Sequence, residues 1–528
     1  MTQNVAYSPS QIYQRLNSTS QEIRLLKVSS ALNEGRIQCQ LQTTRLSSAQ
    51  YVVLSYQWGT SDVSHEILLD GHVFRVRPNL WAFLDVIREQ QAMMLWIDAL
   101  CINQNDVLER NAQVRIMGDI FRSASMVVNW LGAGSQNSRI TLAFRVMNLV
   151  WSSSSVDNAD QLDSVPSIEG VDEDEIWQSV VELCSLPYWN RVWVAQEILL
   201  SSNNYLLHGS TSLPWHVFAN FISLIDVRFP CPSQYNRLIH NSTAKSYALS
   251  KPYTSVPREL TWRVGSALKH DYGKWWNNNE YNLFRILTMF GDRECADPLD
   301  HVYALLSLTD EGPRFPIRYG VSVLDLFLTV FRFCGHAVHE GQSEHTQGEI
   351  YVPASQRAFF RNARYLAEIM DLVSSYQRTQ PYFQGIAMSA RGPSPRPEPC
   401  FPREHDTLIL YCSSIDPDNE PPVLRSNTLR RNLQGIVYDS ILHLDDSSTW
   451  LLVRNTGNSY VSSLVALITI KDSPQGRRGF KVLEPGPLSG ATISAANKSS
   501  GSNAWKFVVP PDKHLDLLKA TVLGGQPR

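Results

Sequence analysis

The chain has 528 residues, of which 43% are hydrophobic and 18% charged, and its formal net charge is −3. That apolar content excludes global disorder and is enough for two large domains or three to four smaller ones. The near balance of charge gives no global electrostatic case for a nucleic-acid or anionic-membrane partner.

The first residues are polar and carry no apolar h-region, so no signal peptide is expected. No run of about 18 apolar residues occurs, so no membrane span is expected. The eight cysteines are scattered without any C-x-x-C pair. That spacing suits reduced thiols in a cytoplasmic protein better than a disulfide frame or a zinc site.

Residues 21–42 hold two apolar runs, the second alternating as a half-buried strand does. Tyr51 to Gly59 starts as a buried strand and turns polar and aromatic at Ser55, Tyr56 and Trp58. Residues 66–76 form a hairpin about Asp70-Gly71, a type I′ signal. Pro78 opens a helix with Leu80, Phe83, Leu84 and Ile87 on one face. Residues 94–132 then read as strand, loop, helix, strand. Met94 to Ile97 is a buried strand ended by Asp98, and Asn103, Gln104, Asn105 and Asp106 crowd the turn. Leu108, Ala112, Ile116 and Ile120 give the helix an apolar stripe, widened by Met117, Phe121 and Ala124. Met126 to Leu131 is the next strand, closed by Gly132. This is a βαβ unit, and ligands of such sheets sit at the carboxyl ends of the strands, where Asp98, Cys101, Asn103 and Gln104 lie.

Helices are expected over 141–151, 176–186, from Arg191 onward, and over 214–226, with a solvated loop over 152–175 and a strand over 204–208. In the Arg191 helix, Trp193 and Glu197 are four apart and share a face. Residues 227–257 read as loop and 258–340 as mainly helical. A Pro-rich stretch ends near 402, and 405–528 alternates short apolar runs with turn residues, which is a β-rich pattern. There is no internal repeat, no P-loop and no G-x-S-x-G elbow. His336, His339 and His345 lack metal-ligand spacing and read as surface, so no metal is expected.

Three blocks together resemble the fungal heterokaryon-incompatibility (HET) domain. They are LSYQWG (54–59), the long block LWIDALCINQNDVLERNAQVRIMGDIFRSASMVVNWLG (95–132) and RVWVAQEI (191–198). Their order and spacing fit over about 21–210. The downstream CADPLDHVYALLSL and RYGVSVLDLF resemble what often follows this domain. The resemblance implies a role in nonself recognition and cell death, with self-association or another incompatibility protein as partner. The family in turn resembles TIR domains, which are flavodoxin-like. In those that hydrolyse NAD, a Trp is followed four residues later by the catalytic Glu, the spacing of Trp193 and Glu197.

The expected architecture is α/β. It places a flavodoxin/TIR-like, mostly parallel sheet flanked by helices in residues 1–225. A helical extension (226–345), a linker and mixed segment (346–404) and a β-rich region (405–528) follow. No cofactor is firmly implied; NAD enters as a possible substrate. Glu197 is either the residue that stabilises positive charge at the anomeric carbon or a structural carboxylate bonded to Arg191 or a loop amide. Ser55, Tyr56, Trp58, Gly59, Asp98, Asn103, Gln104 and Trp193 form the candidate pocket. Asp98, Asn103 and Gln104 equally suit turn and capping chemistry, favoured for Asn103, and Tyr56 and Trp58 equally suit packing. Cys101 reads as a core thiol rather than a nucleophile. Arg110 and Arg115 suit a solvated helix face better than a phosphate site. Arg110, Arg191, Gln196 and Cys101 are expected to serve the motif's structure. An enzyme requires Glu197 to face Ser55–Trp58 and Asp98. A non-catalytic, self-associating module requires Glu197 tied up in ion pairs and an exposed apolar patch. A third option has the C-terminal region sense a partner and restrain the domain.

Overall fold

The computed structural model describes residues 12–59, 62–90, 93–134, 138–154, 167–225, 283–291, 293–309, 311–336, 350–351 and 356–370. In the C-terminal part it describes 407–414, 440–445, 449–456, 461–472, 478–483, 491–495 and 504–522, together with the single residues 232, 235, 372, 436, 438 and 488. Most of the expected loop at 227–257, the Pro-rich stretch, His339 and His345 lie outside these. The chain divides into two compact units, Met1–Tyr281 with Asp292–Gly320, and Asn282–Gly291 with Val321–Arg528. The stretch expected as one helical extension, 226–345, is therefore shared between the two. Among the described residues no helix is long and apolar enough to cross a membrane.

The first unit is built on a nine-stranded sheet. Its strands are β1 (Glu22–Asn33), β2 (Arg36–Arg45), β3 (Val52–Tyr56), β4 (His65–Leu69), β5 (His72–Val76), β6 (Met94–Trp96), β7 (Met126–Trp130), β8 (Asn204–His208) and β9 (Thr211–Pro214). Their order is β5-β4-β2-β1-β6-β3-β7-β8-β9. The sheet is mixed, with four parallel and four antiparallel pairings. The run β6-β3-β7-β8 is parallel throughout, and β2 pairs β4 in parallel. The hairpin β1-β2 joins β6 antiparallel, and β8-β9 closes the other edge antiparallel. The reason is chemical. A two-residue turn, Glu34-Gly35 with φ of 50° and 78°, forces the hairpin to be antiparallel. Asp70-Gly71, at 50° and 78°, does the same for β4 and β5, as expected.

Helices α1 (Pro78–Ile87), α2 (Asp98–Cys101), α3 (Val107–Ser123), α4 (Arg139–Ser154), α5 (Glu173–Cys184), α6 (Val194–Leu199) and α7 (Trp215–Leu224) connect the strands. Pro78 is in the first turn of α1, and its four expected apolar residues are buried. Asp106 caps α3 by accepting from the amides of Leu108 and Glu109. The stripe expected on α3 holds at Met117, Ile120, Phe121 and Ala124 and is corrected at Leu108, which is 74% exposed; Gln113, Val114 and Gly118 join the buried face. Leu108 sits in the first turn, beyond the reach of the sheet. The helix expected from Arg191 begins later, because Pro187–Asn190 is a 3-10 turn. The sheet core gathers Val53, Leu54, Leu95, Trp96, Phe121 and Val127, among others.

In the second unit the strands β10 (Ile350–Tyr351), β11 (Thr407–Ser414), β12 (Ser440–Leu444), β13 (Thr449–Asn455), β14 (Val461–Asp472), β15 (Arg478–Leu483), β16 (Thr492–Ala495) and β17 (Ala504–Val509) confirm the β-rich reading. β11 pairs with both β12 and β17, so six strands, β11-β12-β13-β14-β16-β17, close into an antiparallel barrel. Closure removes the free edges that a short sheet would expose. Helices Leu283–Phe290, Val323–His336 and Gln356–Ile369 pack together in the same unit.

Candidate functional site

Ser55 on β3 and Asn129 on β7 are register partners in adjacent parallel strands, one residue before each strand ends. Both are polar residues in otherwise apolar runs, and both are at most 1% exposed. A buried hydroxyl or amide left unpaired costs about 1–3 kcal/mol, so each needs partners. The partners come from the segment between β7 and β8. The Tyr188 hydroxyl donates to Asn129 Oδ1 at 2.8 Å and lies 2.6 Å from Ser55 Oγ. The Ser55 hydroxyl donates to Glu197 Oε2. Asn129 Nδ2 donates to the Tyr205 carbonyl on β8 at 3.1 Å.

Glu197 lies one turn into α6 and is 2% exposed. Arg191 grips it with two parallel bonds, Nη1 to Oε2 at 3.1 Å and Nη2 to Oε1 at 3.0 Å. Such bidentate pairs are strong and fix geometry as well as charge. The Arg191 side chain is 16% exposed and that of Glu197 only 3%, so the guanidinium covers the carboxylate from the solvent side. Burial works against the Arg191 charge, but Glu197, Tyr188 and Asp98 outweigh it, and its pKa is raised. Burial likewise pushes the Tyr188 hydroxyl up, with Glu197 adding to the shift.

Asp98, at the end of β6, faces the same cluster. Burial lifts its pKa to about 6; Arg191 opposes the rise and Glu197 adds to it. Asp98 Oδ2 accepts from the Trp58 indole at 3.0 Å, and Oδ1 accepts from the Ala99 amide at 2.7 Å. Trp58 in turn lines a cleft of about 310 Å³ with Tyr56, Arg77, Asn103 and Gln104. The cleft's lining includes neither Glu197 nor Asp98; its link to Asp98 is the Trp58 indole. Arg77 stacks over the Trp58 ring at 5.1 Å and donates to the Gly59 carbonyl at 3.2 Å. Gly59 itself has φ of +73°, which lets the chain turn away after β3.

The sequence candidates thus fall into three groups. Ser55, Asp98 and Glu197 converge, with Arg191 pairing Glu197. Tyr56 is 2% exposed and packs in the core behind the cleft wall that it shares with Trp58, Asn103 and Gln104. Asn103 also performs turn chemistry: its Oδ1 accepts from the Asn105 amide at 3.2 Å, and its own amide donates to Glu109 at 2.7 Å. Gln104 ties the same loop by donating to the Asp98 carbonyl at 2.9 Å. Cys101 is wholly buried, and burial raises its thiol pKa to about 12, as a core thiol requires. Gln196 is wholly buried, and among the described residues neither atom of its side-chain amide has a hydrogen-bond partner. Trp193, Arg110 and Arg115 turn toward segment 293–320 instead: the Trp193 indole bonds Asp300 at 3.1 Å, Arg110 stacks over Tyr319 at 3.6 Å, and Arg115 bonds the Phe315 carbonyl at 3.2 Å. Arg110 thus departs from the expected solvated face, while Arg115 stays exposed. Asn129, Tyr188 and Asp300 were missed. The polar residue inside MVVNW was the available signal for Asn129.

An α/β domain with a buried Glu–Arg pair at the carboxyl ends of its central parallel strands is the class that fold and site define. Residues 51–197 match the family model described as Heterokaryon incompatibility protein (HET). The chain carries a heterokaryon-incompatibility domain. It is also 37% identical over 139 residues to Heterokaryon incompatibility protein 6, OR allele, of Neurospora crassa. That similarity covers 23% of this chain and 20% of the relative, so the chain spans only about a fifth of the relative it matches. No solved structure matches.

Proposed function

We propose that the chain acts in fungal heterokaryon incompatibility and that its HET domain is the cell-death effector, working by hydrolysis of NAD. The observation that carries the chemistry is the buried Glu197 carboxylate bonded to Ser55 at the carboxyl end of β3, with Asp98, just past β6, in electrostatic reach of it. The four parallel strands, taken in chain order as β3, β6, β7 and β8, lie in space as 2-1-3-4. That order supports a flavodoxin- and TIR-like core, whose ligands sit at the switch point between the first and third strands. Ser55 and Asn129 occupy that point.

In the reaction the bond between the ribose anomeric carbon and the nicotinamide nitrogen breaks. Nicotinamide leaves neutral with the bonding pair, water adds to the anomeric carbon, and a proton passes to solvent. Glu197 faces the developing positive charge, as a carboxylate does in glycoside hydrolysis. Arg191 covers Glu197, so substrate reaches the carboxylate only after the guanidinium moves outward. The structure's arrangement is a closed, resting one in this reading. NAD loss by the full chain at high protein concentration, beside Glu197→Ala and Glu197→Gln, is the test. Loss in the parent alone supports the assignment, and loss in all three moves the activity off Glu197.

A second reading is favoured by the bidentate Arg191–Glu197 pair itself. Here the module does no catalysis, self-associates or engages another incompatibility protein, and uses the pair to hold its fold. Val107 and Leu108, exposed together at the head of α3, are its contact candidates. No NAD loss in any variant, even when the protein is forced to assemble, would favour it.

A further inference from the structure

The family match ends at Glu197, yet what holds Glu197's helix lies far downstream. α6 is six residues long, and no side chain caps its first turn. Its entry is gripped instead by segment 293–320, which belongs to the same compact unit. The grip has two points. Glu294 forms a parallel bridge with Arg191: the Val192 amide donates to the Glu294 carbonyl at 3.0 Å, and the Glu294 amide donates to the Asn190 carbonyl at 2.7 Å. Asp300 Oδ2 accepts from the Trp193 indole at 3.1 Å. Arg191 and Trp193, the two residues whose placement aims Glu197, are thereby fixed by one segment, the first through its backbone and the second through its side chain.

The segment is itself anchored, so the grip is stiff. Asp300 Oδ1 accepts from the Tyr319 hydroxyl, and Arg110 of α3 stacks on the Tyr319 ring. The Tyr319 amide donates to Asn111 Oδ1 at 2.8 Å, and Arg122 donates to the Ser307 carbonyl at 2.7 Å. Gly118 lets Ser307 approach so closely that an added Cβ would lie 2.4 Å from it. Burial holds the Asp300 carboxyl up at about 6, against the pull of its two hydrogen bonds. A carboxylate kept in such surroundings is not there for solubility.

We infer that Asp300 is a positioning residue for Glu197, acting through the Trp193 indole, and that segment 293–320 is a working part of the HET-domain site. The activity arm of this inference rests on the NAD reading above; its structural arm does not. Asp300→Ala removes both acceptors at once, so it loosens the grip on Trp193 and on Tyr319.

The test is native-state hydrogen exchange of the full chain with Asp300→Ala, Trp193→Phe and the double variant. The amides of Glu197 and Leu200, bonded within the α6 turn, are the reporters. Each single variant is expected to speed their exchange at least about tenfold, the size of one lost hydrogen bond to a charged group. The double variant should exchange no faster than the faster single, since both remove the same bond. The amides of β3 and β7 should keep the parent's rates. Three results overturn the inference: parent-like rates at Glu197 and Leu200 in Asp300→Ala, single effects that multiply in the double, or an equal rise throughout β3 and β7. Where the parent consumes NAD, Asp300→Ala must lower kcat together with the loss of protection. Where the parent consumes none, the function proposed above fails and the exchange data still decide the positioning role.

Discussion

Removing Arg191 should harm this protein more than removing the charge it neutralises. Arg191→Ala leaves the Glu197 carboxylate, 3% exposed in its side chain, facing only the Ser55 hydroxyl. Breaking a buried pair from one side typically costs about 3–5 kcal/mol, because the stranded charge has neither water nor partner. Glu197→Gln strands the guanidinium instead, but that group is already 16% exposed and can turn outward. Its cost should be near the roughly 1.5–3 kcal/mol of a charge-assisted bond. The double variant Arg191→Ala/Glu197→Gln should cost less than the sum, with a coupling of about 1–3 kcal/mol. Exchange of the β3 and β7 core amides measures opening of the first unit directly, which avoids treating a two-unit chain as a single transition. At about 1.4 kcal/mol per decade, Arg191→Ala should speed it by roughly two to four orders of magnitude. A rise below about tenfold, or strict additivity in the cycle, would refute the claim that Glu197 depends on this partner.

Three further outcomes follow from the same geometry. Asp98 binds its proton more tightly folded than unfolded, near 6 against a reference of 3.8, so its contribution to stability falls as pH rises from about 4 through 6. Asp98→Asn should flatten that fall by up to about 3 kcal/mol between pH 4 and pH 7.5, read by urea titration at each pH; an unchanged profile would show that burial does not hold the proton. Gly118→Ala should cost about 1–3 kcal/mol through the clash with Ser307, and Ser307→Gly in the same chain should return part of it, as measured by core-amide exchange. Cys101, buried and with its thiol pushed up to about 12, should resist alkylation in the native protein at pH 8 and react in urea, a contrast that mass spectrometry of the labelled peptide checks.

The parts of this fold that were legible are those in which local chemistry decides alone. Asp70-Gly71 needs positive φ at both positions, and Pro78 fits only a first helical turn. A five-residue apolar run such as Val52–Tyr56 has room for little except a buried strand. What stayed hidden depends on partners far away in sequence. Alternation marks β2 as a strand but cannot say that its hairpin partner β1 lies against β6, which is why the sheet is mixed. The i+4 rhythm of α3 pointed to Leu108, but a helix's first turn can project past the layer it packs on. Tyr188 read as one aromatic among several, and only the folded chain brings its hydroxyl between Ser55 and Asn129.

The same distinction bears on where the functional unit ends. Family resemblance follows residues that recur in order, and it stops at the carboxylate, residue 197. Physical dependence follows contacts. Glu197 needs Arg191, the backbone on both sides of Arg191 needs Glu294, and Trp193 needs Asp300. A chain cut at residue 225 would keep every residue of the matched stretch. It would nevertheless lose both grips on α6 and bare the α3 face that Gly118 leaves open for Ser307. A buried ion pair tolerates little misplacement, since desolvation has already been incurred and only good geometry repays it. Whether Glu197 performs chemistry or holds the fold, its setting is made by two segments that the sequence places far apart, and a variant in either one reads out at the same carboxylate.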